Sequence, residues 1–159
     1  MSAAARPPEG GALPSRRDPA QREGAPVPIQ AQWNSERGVT ACEVALPGGL
    51  LSVDIDAKPG EAATAPSPHD LLDAALAACT TLTLELYAQR KAMEVRQIDV
   101  KVTHSHAAGA YRMQRSIQVF GALTDDQRAA LLRVAEACPV HKTLVGDIQI
   151  ETHLVADVL

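Results

Sequence analysis

The segment from Leu71 to Lys91 constrains the fold of this 159-residue chain more than any other. Its sequence is LLDAALAACTTLTLELYAQRK, and Asp73 is the only charged residue before Leu84. A surface helix normally has a polar face opposite its apolar face. A helix that is apolar almost all the way round must be covered on more than one side. The segment therefore predicts a central helix inside the fold.

The residues just before this segment predict where the helix begins. Ser67 suits the N-cap, Pro68 suits the first helical position, and Asp70 suits the third position of a capping box. We expect the helix to continue to about Lys91. At about 1.5 Å per residue it would be about 34 Å long, which is roughly the width of a small domain.

Alternating apolar residues on both sides of the helix predict antiparallel strands. We expect three strands within residues 27–55, two strands at 96–104 and 111–120, and a last strand at 147–154. Thr124 and Gln127 form the sequence pattern of a second capping box, and Pro139 is expected to close that second helix just after Cys138. This order predicts an α+β domain with helices packed on antiparallel sheet.

Composition separates the chain into a tail and one domain. Residues 1–26 are rich in Pro, Gly, Ala and Arg and show no periodicity, so they are expected to be disordered. Residues 27–159 are expected to form the domain.

The charge pattern excludes several classes of partner. A formal net charge of -4 without a run of like charges favours neither nucleic acid nor an anionic membrane as a partner. No wholly apolar run reaches the roughly 18 residues of a membrane span, and the N-terminus lacks a leader pattern. No glycine-rich phosphate loop occurs, so no cofactor is expected. We predict a cytoplasmic protein whose cysteines are thiols.

Two of the three cysteines could carry chemistry. Cys79 shares the helical spacing of Leu72, Leu76, Thr83 and Leu86, and its alanine neighbours leave room for a ligand. A free cysteine also packs as a small buried hydrophobe, so both interpretations stay open from spacing alone. The same two interpretations apply to Cys138 at the end of the second helix. Cys42 has strand neighbours of core type and is interpreted as structural.

A metal site is not expected. Cys138 and His141 have a Cys-x-x-His spacing, but a zinc site needs about four ligands. The other histidines are scattered in the sequence, at His69, His104, His106 and His153.

Three stretches together resemble the OsmC/Ohr family of thiol-dependent hydroperoxide reductases, closest to its OsmC-like branch. They are PSPHDLLDAALAACTTLTLELYAQRK, VTHSHAAGAYRMQRSIQVFGALTDDQRAALLRVAEACPVHKTL and IQIETHL. The resemblance covers about residues 30 to 154. Its specific features are a helix with Ala-Ala-Cys and a later Ala-Cys-Pro-Val-His.

The resemblance implies an OsmC-like fold, in which antiparallel sheets surround the long helix in an intertwined homodimer. It implies a peroxidase that reduces organic hydroperoxides, with Cys79 as the peroxidatic thiol and Cys138 as the resolving thiol. A dithiol such as a lipoyl protein would be the reductant.

The sequence departs from the family where the thiol would be activated. Family peroxidases use an arginine from the early strands and a glutamate at the start of the long helix. This chain has His69 and Asp70 at the glutamate position, and Arg37 is the best arginine by location. The other candidate activating groups are Arg115, which shares a strand face with Met113 and Ile117, and His141.

These departures favour a second hypothesis. The chain could be a non-enzymatic OsmC-like protein that senses redox state or binds a hydrophobic small molecule.

Overall fold

The computed structural model describes residues 28–37, 40–58 and 62–155. The predicted tail, residues 1–26, lies outside this part of the chain. The regular elements follow in chain order: β1 (Gln30–Gln32), a 3-10 turn (Ser35–Arg37), β2 (Cys42–Leu46), β3 (Gly49–Val53), α1 (Pro68–Arg90), β4 (Glu94–Ala107), β5 (Ala110–Ala122), α2 (Asp125–Glu136) and α3 (Pro139–Val145).

The strands form two antiparallel sheets. One has the order β1-β2-β3, and the other is the long hairpin of β4 and β5. Ala108 and Gly109 turn the hairpin with φ angles of 52° and 75°, since a two-residue turn between twisted strands favours positive φ at both positions. With the long helix packed on β4, this arrangement confirms the predicted α+β class.

The start of α1 is fixed by the capping box that the sequence predicts. The Ser67 backbone N–H donates to Asp70 Oδ2 over 2.8 Å, and the Asp70 N–H donates to Ser67 Oγ over 3.2 Å. Pro68 occupies the first helical turn, and Lys91 is the C-cap. Two backbone donors that the first turn leaves free are therefore satisfied.

The buried face of α1 consists of Leu76, Thr80, Leu84 and Ala88. These residues recur every fourth position and so lie on one side of the helix. The helix packs against β4, α2 and α3, and Leu84 forms a buried cluster with Leu131 and Ala135 of α2. This cluster is the centre of the core.

The predicted face of Leu72, Leu76, Cys79, Thr83 and Leu86 was wrong in part. Leu72 and Leu86 are 42% and 55% exposed. A helix that is apolar all round has no polar face to orient it, so spacing alone did not identify the side that is buried.

A large apolar area of α1 is left uncovered by its own chain. Leu72, Leu82 and Leu86 are all exposed. By length and mean hydropathy alone the helix could also cross a membrane, contrary to our expectation, but the core helix of a soluble protein meets the same criterion.

The C-terminal part of the chain differs from the prediction in two ways. Pro139 does not close α2, which ends at Glu136. Instead Pro139 is the first residue of α3, and Cys138 is the N-cap. The first helical position suits proline because the N–H that proline lacks is not needed there. The predicted strand at 147–154 is not formed, and residues 147–155 are exposed and irregular. An alternating segment becomes a strand only where a neighbouring strand pairs with it.

Candidate active site

The structure brings together the two cysteines that the sequence singles out. The thiol of Cys79, in the middle of α1, lies close enough to Cys138 at the start of α3 to lower the pKa of its thiol. Cys79 is half-buried and Cys138 is fully buried, and all three cysteines are free thiols. Cys42 lies elsewhere, in β2 of the three-stranded sheet, opposite Val53 of β3. The fold therefore selects Cys79 and Cys138 as a pair.

The surroundings of Cys138 favour its thiolate. Burial raises the pKa of this thiol, but hydrogen bonding outweighs burial and the net pKa lies below the usual range. The largest lowering contribution is the hydrogen bond from Cys79. The backbone N–H groups of His141 and Val140 and the Thr80 hydroxyl contribute as well. The two N–H groups belong to the first turn of α3, where helix amides point outward and stabilise negative charge.

Thr80 connects this thiol pair to a cation. Its buried hydroxyl donates to the Leu76 carbonyl over 2.7 Å and accepts from Arg115 Nη1 over 3.0 Å. The same Arg115 nitrogen donates to the Ala135 carbonyl over 3.1 Å. Both acceptors carry no formal charge, so they hold the guanidinium in place without neutralising it.

A cavity of about 600 Å³ lies beside the thiol pair. Arg115, Glu136 and His141 are the charged or titratable residues at its wall, together with Tyr111. The rest of the lining is apolar: Leu76, Met113, Ile117, Leu132, Leu144 and Val145. Neither sulfur is among the lining residues, although Leu76 precedes Cys79 by one helical turn. The cavity suits a small molecule with an apolar body.

Two of the predicted activating residues lie at this site. Arg115 lines the cavity together with Met113 and Ile117, as the strand pattern indicated. His141 lines the same wall and offers its backbone N–H to Cys138. Arg37 ends the 3-10 turn, and its side chain lies outside what the structure describes.

The other two, His69 and Asp70, lie at the beginning of α1. Asp70 is part of the capping box, and His69 Nδ1 lies 3.4 Å from Asp56 Oδ2. Within the described residues, neither side chain has a hydrogen bond or ion pair with the thiol pair.

A group of aromatic and acidic side chains surrounds His69, and the sequence analysis did not predict it. The rings of His104 and Tyr111 lie 5.6 Å and 5.2 Å from that of His69, and the His106 ring lies 5.7 Å away. His104 Nδ1 is 2.8 Å from Asp73 Oδ2. We refer to Asp56, His69, Asp70, Asp73, His104, His106 and Tyr111 as the histidine–aspartate cluster.

This group corrects the expectation that the histidines are scattered. Three of the four histidines outside the cysteine motif come together because β4 runs alongside α1. The hydrogen bond that His104 donates to Asp73 raises the pKa of His104, although burial opposes it.

Sequence analysis also missed Thr80. A hydroxyl next to Cys79 within an apolar helix was the available signal.

Comparison with known proteins matches this chain to a family. Residues 59–153 match the family described as OsmC-like protein. An OsmC-like protein from Mycoplasma pneumoniae has a similar structure, with a TM-score of 0.65 and 21% identity over 77% of this chain and 89% of that chain.

Two further structures are similar. An organic hydroperoxide resistance protein from Legionella pneumophila gives a TM-score of 0.56 and 21% identity, covering 77% of this chain and 93% of that chain. OhrB of Bacillus subtilis, an organic hydroperoxide resistance protein, gives a TM-score of 0.52 and 24% identity, covering 76% of this chain and 90% of that chain. A search of curated proteins found no significant match. The family match spans more than half of the sequence, and its fold is the one observed: this chain belongs to the OsmC-like protein family.

Proposed function

We propose that this protein is a thiol-dependent peroxidase that reduces organic hydroperoxides through Cys79 and Cys138. The observation that carries the proposal is the close approach of the two thiols next to a largely apolar cavity. Relatives named as organic hydroperoxide resistance proteins support the choice of substrate.

The chemistry begins with the proton that the two sulfurs share. When this proton passes from Cys79 to Cys138, Cys79 becomes the thiolate and attacks the distal oxygen of the hydroperoxide. The O–O bond breaks, Cys79 becomes a sulfenic acid, and the alkoxide leaves. The alkoxide takes the proton of Cys138 and departs as an alcohol.

The second thiol then closes the cycle of oxidation. The Cys138 thiolate attacks the sulfenic sulfur of Cys79, a disulfide forms, and the expelled hydroxide takes a proton from solvent to become water. An external dithiol, such as a lipoyl protein, reduces the disulfide by exchange and is itself oxidised.

Arg115 and Thr80 have positioning roles in this scheme. Arg115 supplies positive charge near the pair while Thr80 transmits it through a hydroxyl that also stabilises the Cys138 thiolate. The family's glutamate position holds His69 and Asp70 in this chain. Arg115 therefore provides the activating charge that the family pattern assigns to other residues.

Assembly follows from the uncovered part of α1. Three exposed leucines, Leu72, Leu82 and Leu86, leave an apolar area of the kind that a second subunit covers. We therefore propose that the active form is a homodimer. We also propose that it works in the cytoplasm, where cysteines stay as thiols.

The test is hydroperoxide consumption with dihydrolipoamide as reductant. Wild-type protein is expected to turn over cumene hydroperoxide and to prefer it to hydrogen peroxide because the cavity is mostly apolar. Cys79→Ser is expected to lose all activity. Cys138→Ser is expected to consume one equivalent and then stop as a sulfenic or over-oxidised species.

Cys42→Ser is the matched control, because Cys42 lies in the three-stranded sheet and not on the helices that carry the thiol pair. It is expected to keep wild-type activity. Peptide mapping should find only the Cys79–Cys138 bridge after one equivalent of peroxide. Full turnover by Cys79→Ser, or a peroxide-induced bridge to Cys42, would contradict the proposal.

A further inference from the structure

The histidine–aspartate cluster contains a set of side chains arranged as metal ligands. One nitrogen of His104 and one carboxylate oxygen from each of Asp70 and Asp73 lie within 4.8 Å of one another. Asp70 and Asp73 lie one turn apart at the beginning of α1, and His104 is on β4. We propose that these three residues bind a divalent transition-metal ion such as Zn²⁺ or Co²⁺. This inference does not depend on the thiol chemistry.

The donor atoms and their separation suit such an ion. Imidazole nitrogen and carboxylate oxygen bind zinc at about 2.0–2.2 Å, which places two ligands of a tetrahedral site about 3.4 Å apart. The three donor atoms lie within 4.8 Å of one another, so side-chain movement of no more than about 1.4 Å would bring them to this separation. Three protein ligands leave a fourth position for water or another small ligand.

An unsatisfied oxygen gives an independent reason to expect a cation. Asp73 Oδ1 is buried and has no hydrogen-bond partner among the described residues. Its other oxygen is already bonded to His104. A buried carboxylate oxygen without a partner costs free energy, and a metal ion would remove that cost.

The charges around the ligands also favour a cation. Asp56 adds a third carboxylate to those of Asp70 and Asp73, and it lies beside His69. The His69 ring is a neighbour of the site, 5.6 Å from that of His104. Negative potential from three carboxylates raises the local concentration of cations.

The site adjoins the cavity through Tyr111. The Tyr111 ring stacks on that of His104 at 5.3 Å and 21°, and it also lines the cavity. Tyr111 thus contacts both a proposed metal ligand and the cavity.

The test is metal titration of full-length protein without a histidine tag, after chelator treatment and under reducing conditions. Co²⁺ binding is followed by its visible absorption, and Zn²⁺ binding by calorimetry. We expect one ion per chain without the near-ultraviolet absorption of cobalt–thiolate bonds, because none of the three ligands is a cysteine.

Two variants remove ligands one at a time. His104→Gln and Asp73→Asn are each expected to weaken binding by at least about tenfold, since even the loss of a ligand's hydrogen-bond partner costs about 10–100-fold. His153→Gln is the matched control, because His153 is an exposed histidine in the irregular segment after α3, and it should bind like wild type.

A measurement on wild-type protein covers the case in which a variant does not fold. Co²⁺ should broaden the ring resonances of His104 and Tyr111 more strongly than those of His153. Absence of saturable binding, cobalt–thiolate absorption at the first equivalent, or equal affinity in a folded His104→Gln protein would overturn the proposal.

Discussion

The beginning and the middle of α1 are built on different physical principles. At the beginning, Asp70 and Asp73 hold the structure through charged hydrogen bonds to Ser67 and His104. In the middle, Leu84 is fully buried against α2, and the buried polar side chain there is the neutral Thr80. One helix thus combines a charged end with an apolar centre.

The comparison shows how one helix can serve two kinds of chemistry. Carboxylates near the N-terminus are favoured by the helix dipole, which stabilises negative charge at that end. In the middle of the helix, Cys79 meets Cys138, whose thiolate is stabilised by backbone N–H groups in the first turn of α3. The charged end should therefore respond to pH and metal ions, and the centre to packing and oxidation.

The largest effect is expected from Leu84→Ala in the apolar centre. Removing a fully buried leucine side chain costs about 2–5 kcal/mol of unfolding free energy, through lost burial and the cavity left behind. Urea unfolding measures this cost. At the charged end, Ser67→Ala should cost only about 1 kcal/mol, since one capping hydrogen bond is lost. Equal losses would show that the two regions are not distinct.

A smaller effect is expected from Asp73→Asn. Asparagine still accepts a hydrogen bond, but the charge-assisted part of its bond with His104 is lost, at about 1 kcal/mol. The folded-state pKa of His104 is raised, so its stabilisation is fully present below the ordinary value of about 6.5 and is lost as pH rises through the raised value.

The wild-type advantage over Asp73→Asn should therefore be greatest in mildly acidic solution and should shrink in alkaline solution. Urea unfolding at several pH values in the presence of a chelator measures it. A constant difference between the two proteins at all pH values would contradict this assignment.

The smallest effect on stability is expected from Cys138→Ser, and its dependence on pH is opposite to that of Asp73→Asn. Its folded-state pKa is lowered, so the thiolate stabilises the fold above the ordinary thiol value of about 8.5. That stabilisation is lost as pH falls through the lowered value. The stability difference between wild type and Cys138→Ser should grow as pH rises from neutral to alkaline. Unfolding curves under reducing conditions test this, and a difference that falls with pH would refute it.

Local signals predicted much of the fold. The capping boxes at Ser67 and Thr124 are both formed, because the residues that make each box are only three positions apart. The α+β order of elements was predicted for the same reason. The Cys79 and Cys138 motifs were recognised together through the family resemblance, and the structure brings them into contact.

Long-range contacts account for what was missed. Asp73 and His104 are separated by 31 positions, and Thr80 and Arg115 by 35, so neither pair leaves a local pattern. The start of α3 at Pro139 was missed for another reason, since proline both ends and begins helices. The strand predicted at 147–154 needs a partner that its own sequence does not specify.

Thr80 has one hydroxyl hydrogen and two acceptors for it. Bonded to the Leu76 carbonyl, the hydroxyl belongs to the helix, and a threonine bonded four residues back bends a helix slightly. To donate to the Cys138 thiolate, the same hydrogen must leave the Leu76 carbonyl. The single hydrogen of Thr80 can therefore serve the helix backbone or the sulfur at any one time, but not both.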